Sequence, residues 1–535
     1  MVDVGFCTNN LQQFLSIRDA SLWASDYLDK AISESNISYL IQYGKVKKYG
    51  NNGSTLINVQ DLKNYYLTFS GQREIDWKKK LGDDLNWSLS FENLRESDTT
   101  KHVHRLHPYK GKYIPQLVEY FIDSHVDQFK KNAYFKKGDI ILDPFSGSGT
   151  TLVQANELGI HSIGIDISRF NNLISEIKLL DYDFRSLSID INNICKKINS
   201  YEEDKKISAF EQELNIQISK FNNDNFPSPK YKYKIQQKEI NENIYSKEKE
   251  KQFLNIYQKL ISLYKIELKQ NKNKTFLDKW YIKNIRNEIN FIFDLVKQVK
   301  NVKNKKILAI ILSRTIRSCR ATTHSDLATL KEPQITTYYC FKHKKICKPL
   351  FTIKNWFNRY ALDTLNRLQD FNKIKTQAYY VTITNDSRTT DIFAEIKKRN
   401  SLFYELLNKQ KIRGIFSSPP YVGQIDYHEQ HAYAYDLFGF DRRDELEIGS
   451  LYKGQGIEAK NSYVKGISEV LLNCKKYLTN NFDVFLVAND KYNLYPLIAE
   501  KSGMQIINKF KRPVLNRTER DKSPYSEIIF HLKSK

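Results

Sequence analysis

Hydrophobic and polar positions change rhythm several times along the chain, and each change marks a segment of its own. Between 19 and 66, Ala20, Trp23, Ala24, Tyr27 and Leu28 fall on one helical face, with Asp19 or Ser21 placed to cap it. A second short helix is predicted from Ser35 through Ile37, Leu40 and Ile41 to a stop at Gly44, then a hairpin turning at Asn51, Asn52 and Gly53, then a third helix. From 100 the stretch HPYKGKYIPQLVEYFIDSHV opens as a loop and becomes an amphipathic helix. DIILDPFSGSGTTLVQANELGIHSIGIDIS then reads strand, glycine-rich turn, helix, strand, which is how a doubly wound parallel sheet begins. From 181 to 375 the pattern turns mainly helical, as in YSKEKEKQFLNIYQKLISLYKIELKQ, and the strand rhythm returns with AYYVTITNDS, IRGIFSSPPY, FDVFLVAND and SEIIFHLK. The predicted architecture is α/β: a Rossmann-like sheet split into 76–180 and 376–535, a large helical insertion at 181–375, and a small module at 1–75.

Composition narrows the class of partner. Of 535 residues, 84 are Lys or Arg and 61 Asp or Glu, and the net charge of +23 favours a polyanion, of which nucleic acid is the commonest. That charge is expected on the front module and the insertion. The helix-turn-helix pattern at 1–75 resembles a winged helix, with Lys45, Lys47 and Lys48 near the phosphates. Hydrophobic residues at 41% and aromatics at 13% exclude wholesale disorder. No apolar run is long enough for a membrane span, and MVDVGFCTNNLQQF is not a secretory leader, so a cytoplasmic protein without a membrane partner is expected. Six scattered cysteines do not form a disulfide framework.

Two short motifs carry chemistry. In DPFSGSGTT the strand ends at Asp143 and turns through Gly147 and Gly149 into a helix, so backbone amides face a ligand at the carboxyl edge of the sheet. Thr150 stands where a phosphate-binding P-loop would need lysine. At the end of the next strand, Asp166 of GIDIS can accept hydrogen bonds from both hydroxyls of a ribose, and turn plus acid together indicate a nucleoside cofactor. The second motif is SPPY, from Ser418 through Pro419 and Pro420 to Tyr421. Its adjacent prolines fix the chain just past a strand, its Ser hydroxyl and Pro419 carbonyl are acceptors, and its tyrosine offers a stacking face. Such a site suits a planar heterocycle that bears an amino group.

Taken in order, HPYKGKYIPQLV, DPFSGSGTT, GIDIS and SPPY resemble the motifs of S-adenosylmethionine-dependent DNA amino-methyltransferases of restriction-modification type. The tetrapeptide beginning with Ser resembles the N4-cytosine branch; the N6-adenine branch usually begins it with Asp or Asn. The resemblance implies a class I methyltransferase sheet. It places Phe145, Gly147, Gly149 and Thr150 along the methionine part of the cofactor, Asp143 in the same motif, Asp166 at the ribose and Asp386 of NDSR on the adenine side. Lys112, Tyr113 and Pro115 would close over it, and Ser418 to Tyr421 would hold the target base. It further implies double-stranded DNA as substrate, a cognate restriction endonuclease as partner, and target recognition by the insertion. An N6-adenine enzyme, an RNA amino-methyltransferase and a DNA-binding regulator with decayed catalytic motifs are the alternatives.

Two further clusters stand in the insertion. Cys340, His343 and Cys347 have the spacing C-x2-H-x3-C, with Cys319 or His324 available as a fourth zinc ligand. The usual second close pair is missing, so a reduced cysteine pair in a basic DNA-contacting loop, without metal, is the expectation. Arg314, Arg317 and Arg320 are candidates for phosphate or guanine contacts, or for a solvated helix face.

Overall fold

The structure is a computed structural model that describes residues 13–28, 32–50, 54–67, 80, 85–91, 94, 96–109, 111–201, 205–270, 274–324, 332–514 and 525–535. It divides into two compact units: 81–202 with 270–320 and 352–535, and 1–80 with 203–269 and 321–351.

The larger unit is built on seven strands: β1 (Ile140–Asp143), β2 (His161–Asp166), β3 (Tyr380–Thr384), β4 (Ile412–Ser417), β5 (Leu478–Ala488), β6 (Met504–Pro513) and β7 (Ser526–Ser534). Their order across the sheet is β6-β7-β5-β4-β1-β2-β3. The five from β5 to β3 run parallel, and β7 pairs antiparallel with both β5 and β6. This is the doubly wound, Rossmann-like sheet that the sequence predicts. The inner strands read as unbroken apolar runs because both faces are covered. Alternate residues feed opposite cores: Ile140, Leu142, Ile415, Val484 and Leu486 pack on one side, while Ile141, Phe416, Phe485 and Val487 meet Leu117 and Phe121 of helix α1 (Pro115–Ile122) on the other.

In the smaller unit the strands Phe14–Ser16 and Leu56–Asn58 pair antiparallel, and the helices Ile17–Leu28, Glu34–Gln42 and Val59–Tyr65 enclose Ala20, Ala24, Ile37, Leu40, Ile57 and Leu62. The second helix begins earlier than its pattern suggests, because Ser33, not Ser35, accepts the Asn36 N–H as cap. A bridge from Tyr49 to Leu56 spans the expected hairpin, whose turn at Asn51, Asn52 and Gly53 lies outside the described residues. The long helices Lys205–Asn225 and Glu242–Tyr264 belong to this unit, as does a hairpin of Tyr338–Cys340 and Lys345–Cys347.

The 181–375 stretch is therefore shared between the units. Its helices Phe184–Ser200, Lys283–Gln298, Val302–Ser318 and Lys354–Asn372 belong with the sheet. Among the described residues no helix is long and apolar enough to cross a membrane.

Candidate functional site

Four adjacent parallel strands, β4-β1-β2-β3, deliver the predicted residues to one edge of the sheet. Asp143 closes β1, Asp166 closes β2, Ser418 follows β4 directly, and Asp386 lies just beyond β3. The strand order reverses between β1 and β4, which opens a crevice at the carboxyl edge. A pocket lies there. Lys112, Tyr113, Phe145, Gly147, Thr150, Asp166, Asp386, Ser418 and Pro420 line it. Of the other predicted residues, Pro115 starts α1 in the core, Gly149 caps helix α2 (Thr150–Glu157), and Asp143 is buried beneath the pocket. Pro419 is buried, and Tyr421 borders a smaller cavity with Asn489, Asp490 and Tyr492.

The glycine turn is shaped by its neighbours. Gly147 and Gly149 have φ of +48° and +75°, and a Cβ would meet the Tyr109 hydroxyl at 2.9 Å or Ser175 at 2.8 Å. The Gly147 N–H donates to Asp166 Oδ2 at 2.9 Å, tying the turn to β2. Asp166 Oδ1 accepts from the Ser168 N–H at 2.8 Å and from Asn171 Nδ2 at 3.1 Å. Burial outweighs these donors and pushes the Asp166 carboxyl up to about 6. Asp143 joins three motifs: it accepts from Ser417 Oγ at 2.6 Å, the Phe145 N–H at 3.2 Å and the Tyr113 hydroxyl at 3.3 Å. Lys112 donates to the His104 carbonyl at 2.6 Å, and burial first, then Arg105 and Arg367, push it down to about 8. The carboxylate of Asp386 is clasped by the Arg388 guanidinium at 2.6 to 2.9 Å.

At the SPPY turn the Ser418 hydroxyl donates to the Val487 carbonyl of β5 at 3.2 Å, so its only proton is committed and its lone pairs remain acceptors. The Tyr421 hydroxyl donates to Glu527 Oε1 at 3.1 Å, which anchors the ring to β7.

A family model for DNA methylases of the N6/N4 class matches residues 28–176. The type II methyltransferase M.MjaII of Methanocaldococcus jannaschii is 48% identical over 529 residues, which is 98% of this chain and 97% of that one. The chain belongs to the type II DNA methyltransferases. Shorter matches are to M.MvaI of Kocuria varians, 34% identical over 24% of this chain and 26% of its own, and to M.BsoBI of Geobacillus stearothermophilus, 29% identical over 39% and 43%.

The methyl donor of such a methyltransferase is S-adenosylmethionine, and the residues fit it. Among the described residues, Ser146 Oγ, Ser148 Oγ, Asn171 Oδ1 and His428 Nε2 are buried at the pocket without a hydrogen-bond partner, as expected of groups awaiting a polar ligand. Sequence reasoning missed one wall. Tyr427 and His428 begin a short helix (Tyr427–Gln430) after SPPY, Glu447 and Ile448 come from the loop beyond it, and Tyr109 stacks on Tyr427 with ring centres 6.1 Å apart. Glu447, which accepts from the His428 N–H at 2.8 Å, is pushed up to about 7 by burial. Tyr109 stood in the HPYK motif without an assigned role; Glu447 has no local signature at all. Two of the three insertion arginines are interior. Arg314 pairs with Asp363 at 2.6 Å and lies over the Tyr360 ring, and Arg320 donates to the Arg317 carbonyl over Tyr433.

Proposed function

We propose that this methyltransferase transfers the methyl group to N4 of a cytosine within a specific duplex sequence, guarding that site against a cognate restriction endonuclease. The observation that carries the reading is Ser418: a neutral acceptor whose proton is already given to Val487, at the first position of the tetrapeptide. Asp166 holds the ribose, the turn from Phe145 to Thr150 holds the methionine part, Asp386 stands on the adenine side, and Lys112 and Tyr113 cover the pocket. S-adenosylmethionine supplies a methyl group bonded to a positively charged sulfur. Cytosine's exocyclic nitrogen is a weak nucleophile because its lone pair is delocalised into the ring. Ser418 Oγ and the Pro419 carbonyl accept its hydrogens and favour the pyramidal geometry in which the lone pair is free for in-line attack. Tyr421 offers a face to the base, and such stacking offsets the few kcal/mol that extrusion from the duplex costs. Lys45, Lys47, Lys48 and the lysine-rich 181–375 stretch contact the duplex.

Nucleoside analysis of DNA methylated by the purified protein tests the assignment. N4-methylcytosine is expected; N6-methyladenine in its place moves the enzyme to the adenine branch.

A further inference from the structure

A second constellation lies in the smaller unit, apart from any role in methyl transfer. The strands Tyr338–Cys340 and Lys345–Cys347 pair with Tyr338 opposite Cys347 and Cys340 opposite Lys345, and Lys344 turns the chain at φ +57°. Each strand has three residues, and the hairpin's own apolar cluster is Tyr338, Cys340 and Cys347. A two-stranded element this short needs outside support. Part comes from Asn222, whose side-chain amide exchanges hydrogen bonds of 2.9 and 3.0 Å with the backbone of Ile346. At the other side four soft or borderline donors converge. One ligand atom each from His324, Cys340, His343 and Cys347 lies within 4.8 Å of every other, and both cysteines are free thiols.

We propose that His324, Cys340, His343 and Cys347 bind a structural zinc ion that pins this hairpin. Zn–S near 2.3 Å and Zn–N near 2.1 Å put the sulfur-to-nitrogen edge of a tetrahedron at about 3.6 Å. Cys340 Sγ lies 3.7 Å from His324 Nδ1, and Cys347 Sγ lies 3.6 Å from His343 Nδ1. These two edges match before any ion is placed. Four protein donors leave no open position, so the site is structural rather than catalytic, and two sulfurs select zinc over calcium or magnesium. Two thiolates and two neutral imidazoles balance the charge of Zn²⁺, so the ion adds no net charge beside Lys342, Lys344 and Lys345. The Tyr338 hydroxyl, 2.8 Å from His324 Nδ1, gives up that contact when the nitrogen takes the metal and remains held by the His324 N–H at 3.1 Å. A second group, His102, His104 and Glu157, has no fourth ligand among the described residues, and its carboxylate is already paired with Lys101 at 2.7 Å.

The test uses the full-length protein without an affinity tag, purified without chelator. Elemental analysis is expected to find one zinc per chain in the wild type and in His102→Ala, and none in Cys347→Ser. Cobalt exchanged into the wild type is expected to show the visible absorption of a tetrahedral thiolate site. Should Cys347→Ser fail to fold, His324→Ala removes the exposed ligand; its zinc is expected to pass rapidly to a colorimetric chelator while maleimide labels Cys340 and Cys347. Wild-type protein without zinc or a cobalt band, zinc that survives both ligand substitutions, or a Cys340–Cys347 disulfide in fresh protein overturns the proposal.

Discussion

Acidification should weaken cofactor binding through Asp166. Its carboxylate accepts from Gly147, Ser168 and Asn171, yet burial leaves it titrating at about 6 instead of its ordinary 3.8. Ribose hydroxyls donate to the ionised form, so cofactor binds that form preferentially and lowers its pKa. If only the carboxylate binds, affinity scales with its ionised fraction, about nine-tenths at pH 7 and about one-eleventh at pH 5, a loss of about tenfold. A carboxyl titrating at the ordinary 3.8 would leave affinity unchanged over the same range. Near pH 6, binding should release about half a proton per chain. Isothermal titration calorimetry with S-adenosylmethionine, run in two buffers of different ionisation enthalpy, reads both quantities. Glu447 also lines the pocket and titrates near 7, so Asp166→Asn separates the contributions. That variant should bind about tenfold or more weakly at pH 7, from the lost charge-assisted bonds. It should also lose the roughly tenfold part of the slope between pH 7 and 5 that Asp166 supplies, leaving only the part that Glu447 contributes. A flat wild-type profile, or the same slope in Asp166→Asn, refutes the reasoning.

Three other substitutions probe the remaining parts of the site. Ser418→Ala removes an acceptor needed when the amine reacts, and should lower kcat on the order of 10²-fold, with cofactor affinity unchanged by calorimetry. Gly149→Ala forces a side chain to φ +75° against Ser175, and should cost about 1–3 kcal/mol in denaturant unfolding. Glu447→Gln addresses stability against pH. The folded carboxyl holds its proton up to about 7 while the ordinary value is 4.5, so the folded state binds more protons between those values and stability falls as pH rises through that window. The full loss above pH 7 is about 3 kcal/mol, and the variant's denaturation midpoint should lack that part of the slope.

How far the sequence could be read depends on how locally each feature is determined. Gly147 and Gly149 need backbone angles that other residues resist, Asp166 ends a strand of fixed length, and paired prolines at 419 and 420 stop another; each leaves its mark within a few residues. The pocket wall of Tyr427, His428 and Glu447 leaves none, because it is placed by the packing of a short helix and a loop after the tetrapeptide. The helices between 181 and 375 look alike in sequence, rich in Lys, Asn and Ile at helical spacing, yet those around Ile289 and Ile311 belong with the sheet while that around Tyr257 belongs to the other unit. Period tells which face is buried but not against what. Arg314 and Arg320 misled for a related reason: a guanidinium over a ring with a carboxylate or carbonyl to hold is buried as readily as it is exposed.

Net charge, the first pointer to DNA, describes the chain and not the pocket. The cofactor is a sulfonium cation, and a pocket that shared the surrounding +23 character would repel it. Its lining carries Asp166 and Glu447, both held partly protonated by burial, and Lys112, whose charge burial has weakened. An arriving cation favours the ionised acids and is in turn favoured by them, so uptake of the donor and release of protons are one coupled event. The same chain can thus carry a large net positive charge and still offer an acidic pocket to its methyl donor.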